Sequence, residues 1–502
     1  MAKGEVYSKV FIILFLASLF PAHPGFAEQN TLEMSIGECI DRALRQNLDL
    51  KASQFDLQFS RLSVIQAESS FDPALSMRLT RGQSGSPNFT SYIPVDKIEQ
   101  KTTNFNFSLG KNILTGARWG IGAYGALSES NIERVKNYSS YVGLNVSQPL
   151  LRGFGKRVNY SNIYLAHLSN SASMHTVESS AISLVAEVER TYWNLVFVRE
   201  VLSVRQMSLA QADSLLAYNL KGQELGILTE SDVLEAKSAF FSRKQEVLEQ
   251  QNSIKVSEDA LKLLLNFTAK EERNIRIVPT DKPPLPTVDL DSDAAVEAAL
   301  RSRPDYLIVM NTVEQNKIQL DVAKNSILPD LDLNALYRLN GSGKTMIKNM
   351  QDLTEVNTFG WEFSLNLAYP LGNRSAKTDF EKRMIGLKKS QLNLENLKSH
   401  IVNDITTSVG KIAINRERIE VAGMAVEMNE LKLRKEEERF RNQLSTSYLV
   451  LQYQTDLANA RNLYNKALMD YTLSILDLRQ AKGTLLKDLN IIIIPGAPVV
   501  PN

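Results

Sequence analysis

Apolar residues recur at every seventh position along two neighbouring stretches of the chain, Lys156 to Lys221 and Ile227 to Val278. Neither stretch contains a proline or a glycine, so both read as helix throughout. A strict seven-residue apolar repeat keeps one narrow seam facing a neighbouring helix. Gly222 to Gly226 lies between the stretches and predicts a turn, so the pattern predicts a long coiled-coil hairpin. The repeating positions are Val188, Leu195, Leu202, Leu209 and Leu216, followed by Val233, Phe240, Val247, Ile254 and Leu261.

The same hairpin pattern occurs a second time, 217 positions further along the chain. Two unrelated coiled coils are the alternative, but ten matching positions at one offset favour an internal duplication. The region before the hairpin is duplicated as well, because the motif of Ala43 to Asp49 recurs at Ala299 to Asp305, at an offset of 256. The second-copy positions of the heptad pattern are Ile405, Ile412, Ile419, Val426, Leu433, Val450, Leu457, Tyr464, Tyr471 and Leu478.

Segments of alternating apolar and polar residues precede each hairpin. The first copy carries them from Ala74 to Gln148, and the second copy carries Asp330 to Leu339 and Trp361 to Tyr369, joined by a polar loop. Short alternating runs between polar turns are typical of membrane β-strands. A soluble β-sandwich insert is the alternative interpretation of the same pattern.

The strand region of the first copy is longer by 39 residues, because the offset between the copies changes from 256 to 217. The extra length contains two alternating runs, Thr103 to Leu109 and Ala117 to Leu127. These runs predict an added hairpin, which either widens a barrel or lies outside it.

The chain begins with the features of a secretory signal peptide. Lys3 and Lys9 precede a short apolar run, Val10 to Phe20, and small residues stand before a cut after Ala27. An uncleaved anchor is the alternative. Beyond the cut, the segment from Thr31 to about Ser70 reads as helix with a break near Asn47. Ser35 and Glu38 are placed to form a capping box at its start.

Charge and composition indicate neither catalysis nor nucleic-acid binding. The net charge of +1 gives no basic surface for nucleic acid, and a single cysteine, Cys39, allows no intrachain disulfide. His167, His175 and His400 lack metal-ligand spacing, and no catalytic motif is present. We therefore expect no enzyme activity, no cofactor and no metal.

One chain supplies four long helices and about four to six strands, whereas the smallest membrane barrels need about eight strands. Because an open strand edge is not tolerated in lipid, identical chains have to close the barrel together, as cyclic homo-oligomers do. The predicted fold is mixed and mainly α: two tandem repeats of long coiled-coil hairpins, plus strands that complete a transmembrane β-barrel only in an oligomer.

Four motifs accompany the duplicated layout: Ala299–Asp305, Gln148–Gly153, Thr191–Leu195 and Gly226–Ala236. Through the layout and these motifs, the sequence resembles the TolC/OprM-like outer-membrane efflux proteins over essentially the whole mature chain. The resemblance implies a TolC-like α/β-barrel homotrimer in the outer membrane that extends into the periplasm as a helical tunnel. It also implies a passive exit duct for a tripartite efflux pump or a type I secretion system. The implied partners are a periplasmic adaptor (membrane fusion) protein and an inner-membrane RND, ABC or MFS transporter.

The repeat and the resemblance together divide the chain into nine segments. These are a signal peptide (1–27), first-repeat equatorial helices (28–73) and barrel strands (74–149), the first long hairpin (150–276), a linker (277–291), second-repeat equatorial helices (292–329) and barrel strands (330–370), the second long hairpin (371–488), and a C-terminal tail (489–502).

The resemblance also implies two sets of functional residues at the hairpin tips. The expected adaptor contacts are Gly226, Ile227, Leu228, Thr229, Gln443, Leu444, Ser445 and Thr446. The expected periplasmic gate residues are Asp232, Phe440, Ser445, Leu449 and Gln452.

Several of these positions depart from the pattern of the family. Gln443 replaces an expected Gly, and Leu449 and Gln452 replace acidic residues, so a cation-binding ring from the second hairpin is in doubt. Asp232 has an alternative role as an acidic residue in the first turn of a helix. A periplasmic coiled-coil scaffold or adaptor without a barrel is the alternative function.

Overall fold

The computed structural model describes residues 31–502, except 90, 91, 93, 94, 133–135, 268, 270, 271, 287–289, 357, 493–499 and 502. The predicted signal peptide (1–27) and the alternative of an uncleaved anchor therefore concern residues outside the described part.

Long helices and a single large sheet make up most of the described residues. The helices are α1 (Ile36–Gln46), α2 (Leu48–Glu68), α3 (Lys156–Asn159), α4 (Ser161–Glu224), α5 (Glu230–Leu264), α6 (Ser292–Ser302), α7 (Pro304–Ser326), α8 (Met346–Thr354), α9 (Arg374–Arg441), α10 (Ser447–Lys482) and α11 (Leu485–Asp488). The strands are β1 (Thr31–Met34), β2 (Ala74–Pro87), β3 (Lys97–Asn112), β4 (Arg118–Ser130), β5 (Asn137–Pro149), β6 (Arg276–Pro279), β7 (Asp330–Gly343), β8 (Phe359–Ala368), β9 (Ile491–Ile492) and β10 (Val500–Pro501).

The two predicted hairpins are present as the helix pairs α4–α5 and α9–α10. Helix α4 has 64 residues and α9 has 68, so each is on the order of 100 Å long. All twenty heptad positions of the two copies are buried or half-buried, which confirms the predicted seams. The hairpins lie side by side through α4 and α10.

Two segments that were expected to be helical form a small parallel sheet instead. The returning arm ends at Leu264 and not at Val278, and β6 pairs with β1 in parallel register. Tyr192 of α4 fixes the pair, because its hydroxyl donates to the carbonyl of Met34 over 3.1 Å and accepts from the N–H of Thr280 over 3.1 Å. Ile277 is fully buried beside them, so tertiary burial overrides the local helical pattern.

The start of the described chain follows the predicted capping chemistry. Ser35 caps α1, accepting from the N–H of Glu38 and donating its own N–H to the Glu38 carboxylate over 2.7 Å. The predicted break at Asn47 is also confirmed, because its side chain caps α2. At the first hairpin, by contrast, the predicted helix from Lys156 is interrupted at Tyr160, where α3 ends before α4 begins.

The alternating segments form one antiparallel sheet of six strands in the order β2-β3-β4-β5-β7-β8. The first copy contributes four strands and the second contributes two. The extra runs Thr103 to Leu109 and Ala117 to Leu127 lie in β3 and β4, which pair with each other inside the sheet. The added hairpin therefore forms part of the large sheet and does not lie outside it.

Proline marks each corner between the sheet and the helices. Pro73 precedes β2, Pro149 ends β5, Pro329 precedes β7 and Pro370 follows β8. Proline has no N–H to donate, so it suits the end of a strand. The duplicated prolines thus place both sheet-to-helix junctions at the same level.

One expected loop contains a helix. The polar segment between β7 and β8 folds into α8, whose N-cap Thr345 accepts from the N–H of Lys348 over 3.3 Å. The sequence does not reveal the helix because it has only nine residues, too few for a periodic pattern to stand out.

The largest core cluster lies where the small parallel sheet, α1 and the end of α5 pack on the middle of α4. Cys39, the single cysteine, is fully buried there, and burial raises the pKa of its thiol to about 12. A buried thiol with a raised pKa stays protonated, so Cys39 acts as a small apolar core residue and not as a reactive group.

Glu189 of α4 is almost fully buried near the same level of the helix. Burial raises the pKa of its carboxyl group from 4.5 to about 6, and the positive charge of Arg479 lowers it only in part. The folded chain therefore holds this proton more tightly than the unfolded chain does. The resulting stability is fully present below pH 4.5 and is lost as the pH rises through about 6.

We expect the Glu189→Gln variant to be more stable than the parent by about 2 kcal/mol at pH 8 and equally stable near pH 4. Thermal melting of the detergent-purified protein at the two pH values measures the difference. Glu187→Gln, which changes an exposed carboxylate on the same helix, is the control and should change little at either pH. A loss of stability at pH 8 in the Glu189 variant would contradict the assignment, because it would mean that the charged form is needed.

Candidate functional site

The large sheet has one apolar and one polar face. Strand pairing is continuous from end to end, so side chains alternate strictly between the faces. Most of the apolar face is exposed within one chain, and exposed apolar surface of this extent marks a contact with a partner or with lipid. Its members include Leu75, Met77, Leu79, Phe105, Phe107, Ile121, Val142, Leu144, Leu333, Tyr337, Phe359, Trp361, Phe363 and Leu365.

The opposite face carries a connected polar surface. Tyr124 and Tyr141 stack with ring centroids 5.2 Å apart, and the Tyr124 hydroxyl donates to Asn104 Oδ1 over 3.3 Å. The guanidinium of Arg338 lies 6.0 Å from the centre of the Tyr141 ring. Glu362 faces the same way from the neighbouring strand, because it pairs with Leu336 two positions from Arg338. This face is suited to water and to polar solutes.

The turn of the first hairpin is closed by backbone hydrogen bonds. Gly226 has a φ of +71°, a left-handed conformation that glycine adopts without steric cost. The N–H of Ile227 donates to the carbonyl of Gly222 over 2.8 Å. A Cβ added to Gly222 would come within 2.6 Å of Leu228 Cδ1, so that glycine makes room for the turn.

Thr229 and Asp232 begin α5 with a capping box. Thr229 Oγ1 accepts from the N–H of Asp232 over 3.3 Å, and Asp232 Oδ2 accepts from the N–H and the hydroxyl of Thr229 over 3.0 and 2.6 Å. The carboxylate is half-buried and held against the tip. This geometry supports the alternative role of Asp232 as a helix-start residue, and a part in a gate stays a prediction.

The second hairpin turns in the same way with different residues. Gln443 occupies the position of Gly226 and also has a positive φ, of +61°, which is strained for a residue with a Cβ. The N–H of Leu444 donates to the carbonyl of Arg439 over 2.8 Å. Thr446 caps α10 through its side chain. The backbone of this tip therefore keeps the shape of the first tip at some conformational cost.

The expected gate residues of the second hairpin lie in different environments. Ser445 is half-buried and its hydroxyl donates to the carboxylate of Glu436. Leu449 is half-buried, and Gln452 is exposed and donates to Asp456 Oδ1 over 3.3 Å. Gln452 stands where the family pattern has an acidic residue. Asp456 therefore places a carboxylate about one helical turn from that position.

Phe440 belongs to the core between the hairpins. It is buried in an apolar cluster with residues of α4 and α10, and its ring centroid lies 5.5 Å from that of Tyr218. Its position joins the two hairpins one turn above the second tip.

A buried arginine that sequence reasoning did not single out ties three helices together. Arg243 of α5 donates through Nη1 to the carbonyl of Ser208 over 3.0 Å and to Gln454 Oε1 over 2.7 Å. Its Nη2 donates to the carbonyl of Leu451 and to Thr455 Oγ1, both over 3.3 Å. No carboxylate of the described residues forms an ion pair with it, and burial lowers the pKa of the guanidinium.

A second buried polar link lies nearer the tips. Asn219 and Ser447 are fully buried, and Asn219 Nδ2 donates to Ser447 Oγ over 2.8 Å and to the carbonyl of Asp232 over 3.0 Å. The sequence held a signal for this contact. Asn219 lies seven positions after the buried Ala212, and a polar residue at such a core position fixes the register of a coiled coil.

Both hairpins also carry apolar heptad positions that one chain leaves uncovered. Each of these side chains is more than half exposed, and within each helix they are seven residues apart. They form a second seam that no other described segment of the chain covers. The members are Leu234, Phe241 and Leu248 on α5, and Ile414, Val421 and Met428 on α9.

Neither a metal centre nor a helical membrane span stands out. In the part of the chain that the structure describes, no cluster of His, Cys, Asp and Glu is arranged to hold a metal ion. Within the same residues, none of the helices combines the length and the apolarity that a membrane span requires.

Comparison with known proteins identifies close counterparts of this architecture. Residues 39–266 match the family model of the outer membrane efflux protein. The chain is 22% identical to the outer membrane protein TolC of Vibrio cholerae over 351 residues, which cover 68% of this chain and 76% of that protein.

Solved structures share the fold. The CmeC outer membrane channel of Campylobacter jejuni is similar with a TM-score of 0.66 at 16% identity, covering 89% of this chain and 85% of that one. The outer membrane protein VceC of Vibrio cholerae gives a TM-score of 0.65 at 15% identity, covering 89% and 96%. The predicted mixed, mainly α fold of this type is confirmed.

Proposed function

The chain belongs to the outer membrane efflux protein family, and we propose that it is the outer-membrane exit duct of a tripartite efflux pump or a type I secretion system. The duct is passive: it conducts small molecules or proteins and catalyses no reaction. The observation that carries the proposal is a six-stranded sheet with an exposed apolar face and two open edges, continued by helices that also expose an apolar seam.

Closure of the sheet supports a homotrimer. Strands β2 and β8 stand at the ends of the sheet, and no strand of the described residues pairs with their outer edges. Open edges are not tolerated in lipid. Three copies of a six-stranded sheet give eighteen strands, and barrels of about 16 to 18 strands leave an aqueous channel.

The helices support the same assembly. The exposed seam of α5 and the exposed seam of α9 lie on different hairpins of one chain. In a ring of three chains, the first hairpin of one copy lies beside the second hairpin of the next. Each seam then gains the helical neighbour that a heptad repeat requires, and the hairpins close into a tube.

We expect native mass measurement in mild detergent to give three copies of the chain. Cysteines stepped along β2 against one fixed cysteine on β8 should yield covalent trimers at one register, because each β2 edge would meet the β8 edge of the next copy. Cysteines on β4, which is paired on both sides, are the control and should not crosslink chains. A stable, folded monomer would contradict the assembly.

The proposed placement puts the sheet in the outer membrane and the helices in the periplasm. The apolar face would meet lipid and the polar face would line the channel, as in membrane barrels. The long hairpins would then reach about 100 Å towards the inner membrane, where a periplasmic adaptor and an RND, ABC or MFS transporter would deliver the cargo.

The hairpin tips are the proposed adaptor contacts. Leu225 and Ile227 at the first tip and Leu444 at the second are each more than half exposed. The backbone around them is fixed by the closed turns, and exposed apolar side chains on a rigid surface are suited to anchoring a partner. These side chains support the eight expected contact positions at Gly226 to Thr229 and Gln443 to Thr446.

We expect Ile227→Glu to weaken adaptor binding about tenfold or more, because a charge replaces an apolar side chain that would be buried. Binding of the purified trimer to the adaptor measures the change. Ser231→Glu, which adds the same charge to an exposed polar position of the same tip, should have a much smaller effect. Equal losses in the two variants would mean that charge alone, and not the apolar contact, decides binding.

The tips are also the proposed gate. Asp232, Phe440, Ser445, Leu449 and Gln452 all lie within the last turns of the hairpins, where three copies would come closest to a common axis. Three Asp232 carboxylates around one axis would favour cations and repel anions. The capping box explains the same residue without a pore, so the two roles need separate tests.

Charge and capping can be separated by two variants. Asp232→Asn removes the charge, whereas Thr229→Ala removes the same cap and keeps the charge. If Asp232 lines the pore, Asp232→Asn should weaken cation preference and block by multivalent cations in planar bilayers, and Thr229→Ala should not. Unchanged selectivity in both variants, with faster amide exchange at the tip, would leave Asp232 as a helix cap only.

A further inference from the structure

Helix α8 is docked on the apolar face of the sheet. Gly341 and Gly343 lie under it, and a Cβ added to them would approach the backbone of Asn349 to 2.4 and 2.8 Å. Ser140 pairs with Gly341 across the strands, and Val142 follows two positions later on the same face. The helix therefore covers the far end of the face that carries Val142 and Leu144.

The docking is specific. Asn349 is almost fully buried, and its side chain uses both ends: Nδ2 donates to the carbonyl of Tyr138 over 3.1 Å, and Oδ1 accepts from Ser140 Oγ over 2.6 Å. The orientation of α8 on β5 and β7 is thereby fixed. A short helix held in this way presents a defined set of side chains outward.

Those outward side chains are apolar on one side and polar on the other. Met346, Ile347 and Met350 are each more than half exposed. Met346 and Met350 are four residues apart and so share a face. Lys348 and Asp352 follow the opposite side of the helix, where they form an ion pair over 3.0 Å.

The position of α8 along the sheet corresponds to a membrane boundary. Gly341 lies eleven residues after Asp330, the first residue of β7. At about 3.4 Å per residue and a tilt of about 40°, this distance is about 28 Å along the barrel axis. The apolar band of an outer-membrane barrel is about 25 Å tall, so the helix lies at the outer limit of the band.

We propose that α8 is a membrane-surface anchor that places Met346, Ile347 and Met350 among the acyl chains of the leaflet furthest from the helical hairpins, a proposal that rests on the proposed function. Its apolar side continues the lipid-facing surface of the sheet. Its polar side, with the exposed Lys344 at its start, meets the anionic phosphates of the lipid headgroups. An amphipathic helix with this arrangement lies in the plane of the interface.

Site-directed spin labelling of the full-length trimer tests the anchor. Single cysteines at Ile347 and Met350 are labelled with a nitroxide in vesicles of phosphatidylethanolamine and phosphatidylglycerol. Lys348→Cys is the matched control on the polar side, and Leu144→Cys reports on the sheet. The native Cys39 is buried, so the unsubstituted chain gives the labelling background.

We expect labels at 347 and 350 to collide severalfold more with dissolved oxygen than with a water-soluble nickel chelate, as at Leu144, and the label at Lys348 to show the reverse. Nickel access at 347 and 350 with oxygen preference at Leu144 overturns the anchor and leaves the duct intact. Nickel access at all four positions contradicts the membrane placement itself. Protection from both reagents at 347 and 350 also overturns the anchor, because it means that another copy of the chain covers α8.

Discussion

Among the residues that the structure describes, no strand pairs with the backbone N–H and C=O groups on the outer edges of β2 and β8, and lipid offers these groups no partner. Apart from the end that α8 covers, most of the apolar face of the same sheet is exposed in the part of the chain that the structure describes. These two unmet requirements act together: the edges need more strands, and the face needs an apolar solvent. Association of identical copies in a membrane satisfies both at once, which is why the fold of the single chain is informative only as part of a ring.

The hairpins meet a different requirement, because in the proposed placement they lie in water and must stay in register over about 100 Å. Apolar seams alone are poor at fixing register, since one heptad resembles the next. The buried polar contacts of Arg243 and Asn219 supply the missing specificity. Both join the first hairpin to α10, so sliding or separating the hairpins would leave a buried charge or amide without its partners.

The duplicated heptads and alternating runs made the hairpins, the strands and the capping box at Ser35 predictable, because each depends on neighbouring residues in the sequence. The pairing of Thr31 with Arg276 was not predictable in this way, since the two strands have only four residues each and lie far apart in the chain. Arg243 was missed for the same reason: its acceptors are on other helices. The sequence does not decide the role of Asp232, because this residue fits both the pattern of a helix cap and that of an acidic ring at a pore.

The added hairpin β3–β4 affects how the sheet joins the helices. In the proposed trimer, the helices next to the sheet are α2, α4, α7 and α9, which lie side by side in each chain. Three copies of these four helices at interaxial distances of about 8 to 10 Å form a ring of about 100 to 120 Å in circumference. Eighteen strands about 4.8 Å apart and tilted by about 40° form a ring of about 110 Å. The two circumferences agree, so the strands can run into the helices at the proline corners without a taper. With only four strands per chain, the same spacing and tilt would give about 75 Å, and the junction would have to narrow or the strands would have to tilt more steeply. In the proposed trimer, the extra residues of the first repeat therefore match the width of the barrel to a ring of helices whose size is set by two helices from each repeat.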